Sequence, residues 1–140
     1  MMEKQVFISG PILGMENNQD YYRNFITSVS EKLGFAVIDP WKREKYLYSG
    51  KELDGCSSGD CGKYAFVERD LADADKCDLM VVYLPKLSAG ACMELFYAKR
   101  RGKTVIVVSD MEQLSPWIKF HCDIIINSLD KLEETLAGFK

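Results

Sequence analysis

The sequence predicts an α/β fold in one domain: five parallel strands in a doubly wound sheet, flanked by helices. Three observations predict it. Short runs rich in Val and Ile recur along the chain, segments of helical period stand between them, and Gly or Pro marks most junctions. β-branched runs without polar alternation belong to strands covered on both faces, as in parallel sheets. The 140 residues make a single domain, 1–140, long enough to bury roughly two-thirds of the unfolded surface without a metal or disulfide.

Gln5–Ser9 reads as a short buried strand ended by Gly10-Pro11. Asn17 to Leu33 reads as a helix, because Tyr21, Tyr22, Phe25, Val29 and Leu33 recur every three or four positions and Gly34 suits a left-handed cap. Phe35–Ile38 is the second strand, closed by Asp39-Pro40. The stretch Ser49 to Lys63, rich in Gly, Ser and charge and without a period, reads as a flexible surface loop. A helix from Tyr64 to Lys76 leads into the clearest strand, Asp78 to Leu84. The loop Pro85–Gly90, a helix Ala91–Arg101 and its capping Gly102 follow. Thr104–Val108 and Asp123–Ile126 read as two more buried strands with a helix between them, and Ser128–Leu136 is the last helix.

Right-handed crossovers between such strands give a Rossmann or flavodoxin-like sheet. Its ligand is expected beyond the carboxyl ends of the strands, which singles out the loops Ser9–Gly14, Asp39–Tyr48 and Leu84–Gly90. Ser9, Gly10, Ile12 and Gly90 thereby become candidate substrate-binding positions.

Lys+Arg 18 against Asp+Glu 21 gives a net charge of −3. That balance argues against a nucleic-acid footprint or a polybasic membrane surface, which need clustered positive charge. Neither a membrane span nor a cleavable signal is legible, and five scattered cysteines with one histidine complete no zinc set. The expectation is a reduced, cytoplasmic protein without a structural metal. Gly102-Lys103-Thr104 imitates the end of a phosphate-binding loop, but Tyr97 replaces the earlier Gly and the helix precedes the strand. Pro11 removes an N–H that a dinucleotide loop after the first strand would use.

Two carboxylates stand out. Glu94 has Gly90, Ala91, Tyr97 and Ala98 as helical neighbours, near the start of a helix that leaves a central strand. The helix N-terminus would keep it ionised while partial burial would desolvate it. A glutamate that merely complements the helix dipole would look similar in sequence. In the next helix back, Val67, Leu71 and Ala74 are expected to form the buried stripe, with Asp70 at its border and the remaining acids on a solvated face.

With these residues in place the chain resembles the nucleoside 2-deoxyribosyltransferase-like family, which includes the base-swapping transferases and the nucleoside 5′-monophosphate N-glycosidases. The resemblance is carried by Val6-Phe-Ile-Ser-Gly10, by Glu68-Arg-Asp-Leu71 with Ala74-Asp-Lys-Cys-Asp78, by Ser88-Ala-Gly-Ala-Cys-Met-Glu-Leu95, and by Arg101-Gly-Lys-Thr-Val105, in that order and spacing. It implies that Glu94 is the nucleophile that attacks C1′ of the sugar and that Asp70 protonates the leaving base or orients the nucleophile. It implies retaining glycoside chemistry with the two carboxyl groups about 5 Å apart. Water as acceptor gives hydrolysis, and a second base gives transfer.

The resemblance also sorts substrates. Ser88 stands where the free-nucleoside transferases carry an aspartate and the monophosphate hydrolases a serine, which donates to a phosphate that an aspartate would repel; it also suits a helix N-cap. Ser115, in Leu114-Ser-Pro-Trp-Ile118, matches a phosphate-contacting serine supplied by a neighbouring subunit. Phe7 matches relatives that cleave ribonucleotides. Trp41 and Tyr46 are candidates to stack on the base, although Trp41 equally suits the core. Pro11 and Leu13 replace a serine and an arginine that hold phosphate in the hydrolases, so Lys42, Arg43 or Lys86 would have to supply the charge.

The expected function is therefore N-glycosidase action on a nucleoside 5′-monophosphate. Base exchange between free deoxynucleosides stands second, and a non-catalytic nucleotide-binding sensor is the rival from another class. The resemblance implies no cofactor, a small-molecule nucleotide or nucleoside as partner, and a homodimer or higher homo-oligomer with shared sites.

Overall fold

The alternation of Val/Ile runs and helical segments becomes a five-stranded sheet in the computed structural model, which describes residues 3–45 and 64–140. In chain order the elements are β1 (Gln5–Ser9), α1 (Gln19–Lys32), β2 (Ala36–Ile38), α2 (Trp41–Glu44), α3 (Ala65–Lys76), β3 (Leu79–Tyr83), α4 (Ala89–Arg100), β4 (Thr104–Val108), α5 (Pro116–Phe120), β5 (Ile124–Ile126) and α6 (Leu132–Ala137). The sheet order is β2-β1-β3-β4-β5. All four pairings are parallel, with Val6 opposite Leu79 and Leu79 opposite Thr104 in the centre. This is the flavodoxin-like order, and it confirms the predicted fold class.

Side chains of a strand alternate between faces, so one apolar run feeds two cores. Val6 and Ile8 with Leu79, Val81, Ile106 and Val108 pack against Tyr22 and Ile26 of α1 and Leu132 and Leu136 of α6. Phe7 with Met80, Val82, Val105 and Val107 packs against Ala91, Leu95 and Ala98 of α4 and Ile118 of α5. Complete burial of each such side chain contributes about 1.5–3 kcal/mol. Ser9, two residues beyond Phe7, faces the α4 side by the same alternation.

Several boundaries and stripes differ from the sequence reading. A 3-10 turn at Glu16–Asn18 precedes α1, which ends at Lys32, and Gly34 at φ 93° lets Phe35 N–H donate to Ser30 O at 2.9 Å. Tyr21 is exposed, because the stripe of α1 runs through Tyr22, Ile26 and Val29 instead. On α3, Val67 is exposed and Leu71 only half-buried, while Asp70 and Ala74 are the buried residues. The polar Asp70 thus takes a place that the apolar pattern assigned to its neighbours. Within 39–45, expected as loop, Trp41–Glu44 forms one helical turn that directs both Trp41 and Glu44 inward. β5 is an edge strand with Ile125 43% exposed, not a buried one. The expected loop at 49–63 lies outside the described residues.

The chain leaves β1 toward β2 and leaves β3 toward β4, on opposite sides of the β1–β3 pair. The connections diverge there and open a crevice at the carboxyl ends of β1 and β3. Among the described residues no helix is long and apolar enough to cross a membrane.

Candidate active site

α4 begins at Ala89 because Ser88, extended at φ −145°, caps it: its Oγ accepts from Ala91 N–H at 3.3 Å. Glu94 is the sixth residue of this helix, past the first turn, where the helix dipole has largely faded. Ser9 at the end of β1 donates its hydroxyl to Glu94 Oε1 at 2.6 Å. Burial pushes the Glu94 carboxyl up to about 7; the Ser9 hydrogen bond and the more distant Arg23 charge oppose this, and the Asp70 charge adds to it. Desolvation outweighs the stabilisation expected from the helix N-terminus, which leaves Glu94 divided between its two protonation states near neutrality.

Asp70 approaches from α3, with only 9% of its surface exposed. Arg43 of α2 reaches it, Nη2 lying 3.0 Å from Asp70 Oδ1 while Nη1 lies 2.9 Å from Asp73 Oδ2. The same Nη2 stands 3.4 Å from Glu44 Oε2. Glu44 is 1% exposed, and this one nitrogen brings its carboxyl group together with that of Asp70. Burial first, then the interaction with Asp70, raise Glu44 to about 9. Asp70 is also raised, by burial, against the pull of Glu44 and Arg43.

These carboxyl groups open on a cavity of about 460 Å³. Gly10–Leu13 form one wall, Glu44 with Phe66, Val67 and Asp70 another, and Lys86–Ala91 with Glu94 the third. The first wall is braced from behind. Gln19 donates to Pro11 O at 2.8 Å and to Met15 O at 3.0 Å, and its Oε1 accepts from Tyr22 Oη and Arg23 Nε. A Cβ on Gly10 would stand 2.6 Å from Tyr22 Oη, so the loop passes over that ring only as glycine. Lys86 donates to Leu13 O at 3.2 Å and ties the first wall to the third.

No protein-family model matches the sequence, and no curated protein matches it. Solved structures do. The 2-deoxyribosyltransferase of Bacillus psychrosaccharolyticus superposes with a TM-score of 0.70 at 16% identity over 92% of this chain and 90% of that one. A CMP N-glycosidase of Clostridium botulinum gives 0.59 at 18% identity over 95% and 98%. The 2-deoxyribosyltransferase of Leishmania mexicana gives 0.64 at 13% over 96% and 97%. The chain has the 2-deoxyribosyltransferase fold.

Within this fold the structure brings together Gly10, Ile12, Asp70, Ser88, Gly90 and Glu94 around one cavity, with Ser9 bonded to Glu94. Phe7 is fully buried beneath, packed in the α4-side core. Trp41 is 9% exposed and does not line the cavity, and Lys42 is exposed. Tyr46 lies outside the described residues. Ser115 caps α5 by accepting from Trp117 N–H at 3.2 Å, and it borders a separate apolar cavity of about 360 Å³ with Met93, Phe96 and Trp117. Among the three cations considered, Lys86 lines the site, whereas Arg43 is engaged by Asp70, Asp73 and Glu44. Sequence reasoning missed Glu44: in the run Trp41-Lys-Arg-Glu-Lys45 it looks like one more solvated charge, and only the spacing of three from Trp41 signals a shared inward face.

Proposed function

We propose that this chain is an N-glycosidase of the nucleoside 2-deoxyribosyltransferase-like family, which hydrolyses the bond between base and sugar in a nucleoside 5′-monophosphate. The observation that carries the reading is the placement of Glu94 and Asp70 on one cavity that also receives the N-terminus of α4. Ionised Glu94 attacks C1′ through Oε2, since Oε1 is held by Ser9. The positive charge developing on the sugar faces Glu94, and Asp70 serves the departing base. Water then attacks C1′ of the glycosyl ester from the face the base has left and regenerates Glu94.

The phosphate fits the α4 end of the cavity. Ser88 accepts from Ala91 N–H, which leaves its own O–H to donate, and the first N–H groups of a twelve-residue helix favour an anion there. Lys86 at the same rim supplies the positive charge that Leu13 does not. No further cofactor or metal is needed for this chemistry.

The reading includes a homodimer. Ser115 lines a cavity with Trp117, 76% exposed, and Trp117 in turn adjoins Phe120, 77% exposed, making an apolar face that suits a second copy and lets Ser115 of one protomer reach the other's phosphate. Base exchange between free deoxynucleosides is the second reading, favoured by the higher TM-scores of the two 2-deoxyribosyltransferases.

Incubation with nucleosides and with nucleoside monophosphates, with and without a second base, tests these readings by chromatography. Free base from monophosphates alone is expected. Exchanged nucleoside would establish the second reading, and binding without any cleavage would leave a sensor.

A further inference from the structure

The mechanism above leaves one buried carboxyl without a task. Glu44 is 1% exposed, yet it lines the reaction cavity beside Asp70 and Glu94. Charged groups face it from three elements: Arg43 of its own helix, Asp70 of α3 and Glu94 of α4. Arg43 Nη2 lies 3.4 Å from Glu44 Oε2 and 3.0 Å from Asp70 Oδ1, so the two carboxyl groups meet around one nitrogen, and such a pair favours holding one proton over full ionisation of both. Arg43 is a single cation spread over Glu44, Asp70 and Asp73, so it cannot neutralise both members of the pair.

We propose that Glu44 stores the proton that Asp70 delivers to the departing base. The inference rests on the N-glycosidase reading and assigns its acid step. As the C1′–N bond breaks, its electron pair moves to the base while Glu94 forms the new bond to C1′. The proton of Glu44 crosses to Asp70, which passes it to the base, and the pair is left with both carboxylates ionised beside Arg43. When water attacks C1′ in the second half, Glu94 leaves as a carboxylate and the water proton returns to the pair. Burial and the pull of Asp70 keep the store filled at neutral pH. Asp70, nearer to Arg43 than Glu44 is, serves as the exchanging member.

Glu44→Gln keeps a donor to Asp70 and removes only the proton that moves, so two measurements decide the matter. In infrared spectra at pH 8, Glu94→Gln is expected to show a protonated-carboxyl band that Glu94→Gln/Glu44→Gln lacks; an undiminished band would overturn the proposal. In kinetics, Glu44→Gln is expected to cleave a natural nucleoside monophosphate roughly 10²-fold more slowly. A 4-nitrophenyl riboside 5-phosphate, whose leaving group departs without a proton, should lose only a few-fold. Equal losses on both substrates would mark a structural role and overturn the proposal. Should Glu44→Gln fail to fold by circular dichroism, Glu44→Asp is expected to retain the band and part of the activity, and absence of the band would overturn the proposal. Wild type cleaving neither substrate would sink the N-glycosidase reading instead, and the infrared result would still decide where the proton resides.

Discussion

The two ends of the sheet treat carboxylates in opposite ways. At the amino end, Asp123 accepts from Val105 N–H at 2.8 Å and pairs with Lys99 at 2.6 Å, and Asp78 accepts from Gln5 N–H at 2.8 Å. Burial tends to raise Asp123, but the Lys99 and Val105 hydrogen bonds win and hold it below the usual carboxylate range. These groups tie one strand to the next. At the carboxyl end, Glu94, Asp70 and Glu44 are drawn together with too few donors, and all three are raised. The fold spends stability at that end and holds reactive groups there.

Removing the proposed nucleophile should give the largest effect. Glu94→Ala is expected to lower base release on the order of 10³-fold or more, with an unchanged circular dichroism spectrum. Turnover near wild type would break the contrast, because the raised carboxyl would then be idle.

A stability measurement comes next. Arg23 and Asp39 form a fully buried ion pair that braces the carboxyl end, 2.7 Å apart with each side chain 3% exposed. Arg23→Met leaves Asp39 buried with the Trp41 N–H but without its cation, and is expected to cost about 3–5 kcal/mol in chemical denaturation. A loss below about 1 kcal/mol would show that the pair is dispensable.

Linkage sharpens the comparison further. Glu94 is raised from 4.5 to about 7 in the folded chain, so its burden on stability is absent below pH 4.5, grows between 4.5 and about 7, and is constant above that. Glu94→Gln should therefore stabilise the protein by about 1–3 kcal/mol at pH 8 and by almost nothing at pH 4.5. Asp123 has the opposite sign, contributing above its unfolded value near 3.8 and losing that contribution as pH falls through its lower folded value. Asp123→Asn should cost about 0.5–1 kcal/mol at pH 7, in line with an exposed pair, and nothing in strong acid. Matching signs in the two thermal-melt series would dissolve the distinction between the ends.

The fold was legible because parallel strands must be apolar on both faces, which leaves an unbroken Val/Ile signature at β1, β3 and β4. Glu94 was legible because Gly90, Ala91 and Ala98 surround it with small residues, a pattern with no use for a solvated acid. Asp70 was only half legible: the apolar stripe pointed to Val67 and Leu71, and the inward turn of Asp70 depends on Arg43 from another element. Glu44 was hidden for the same reason. Its burial follows from a four-residue helix and a carboxyl partner 26 positions away, and neither leaves a periodic trace. Local pattern reports which face is apolar; it does not report which charges meet across elements.

The central claim is that Glu94 forms a bond to the anomeric carbon. Reaction with a 2-fluoro-substituted nucleoside 5′-monophosphate, which slows the breakdown of a glycosyl ester more than its formation, followed by mass spectrometry of the digested protein, tests it directly. The account predicts a sugar-phosphate adduct on the peptide that contains Glu94, lost in Glu94→Gln. Base release with no adduct, or an adduct on another residue, would contradict it.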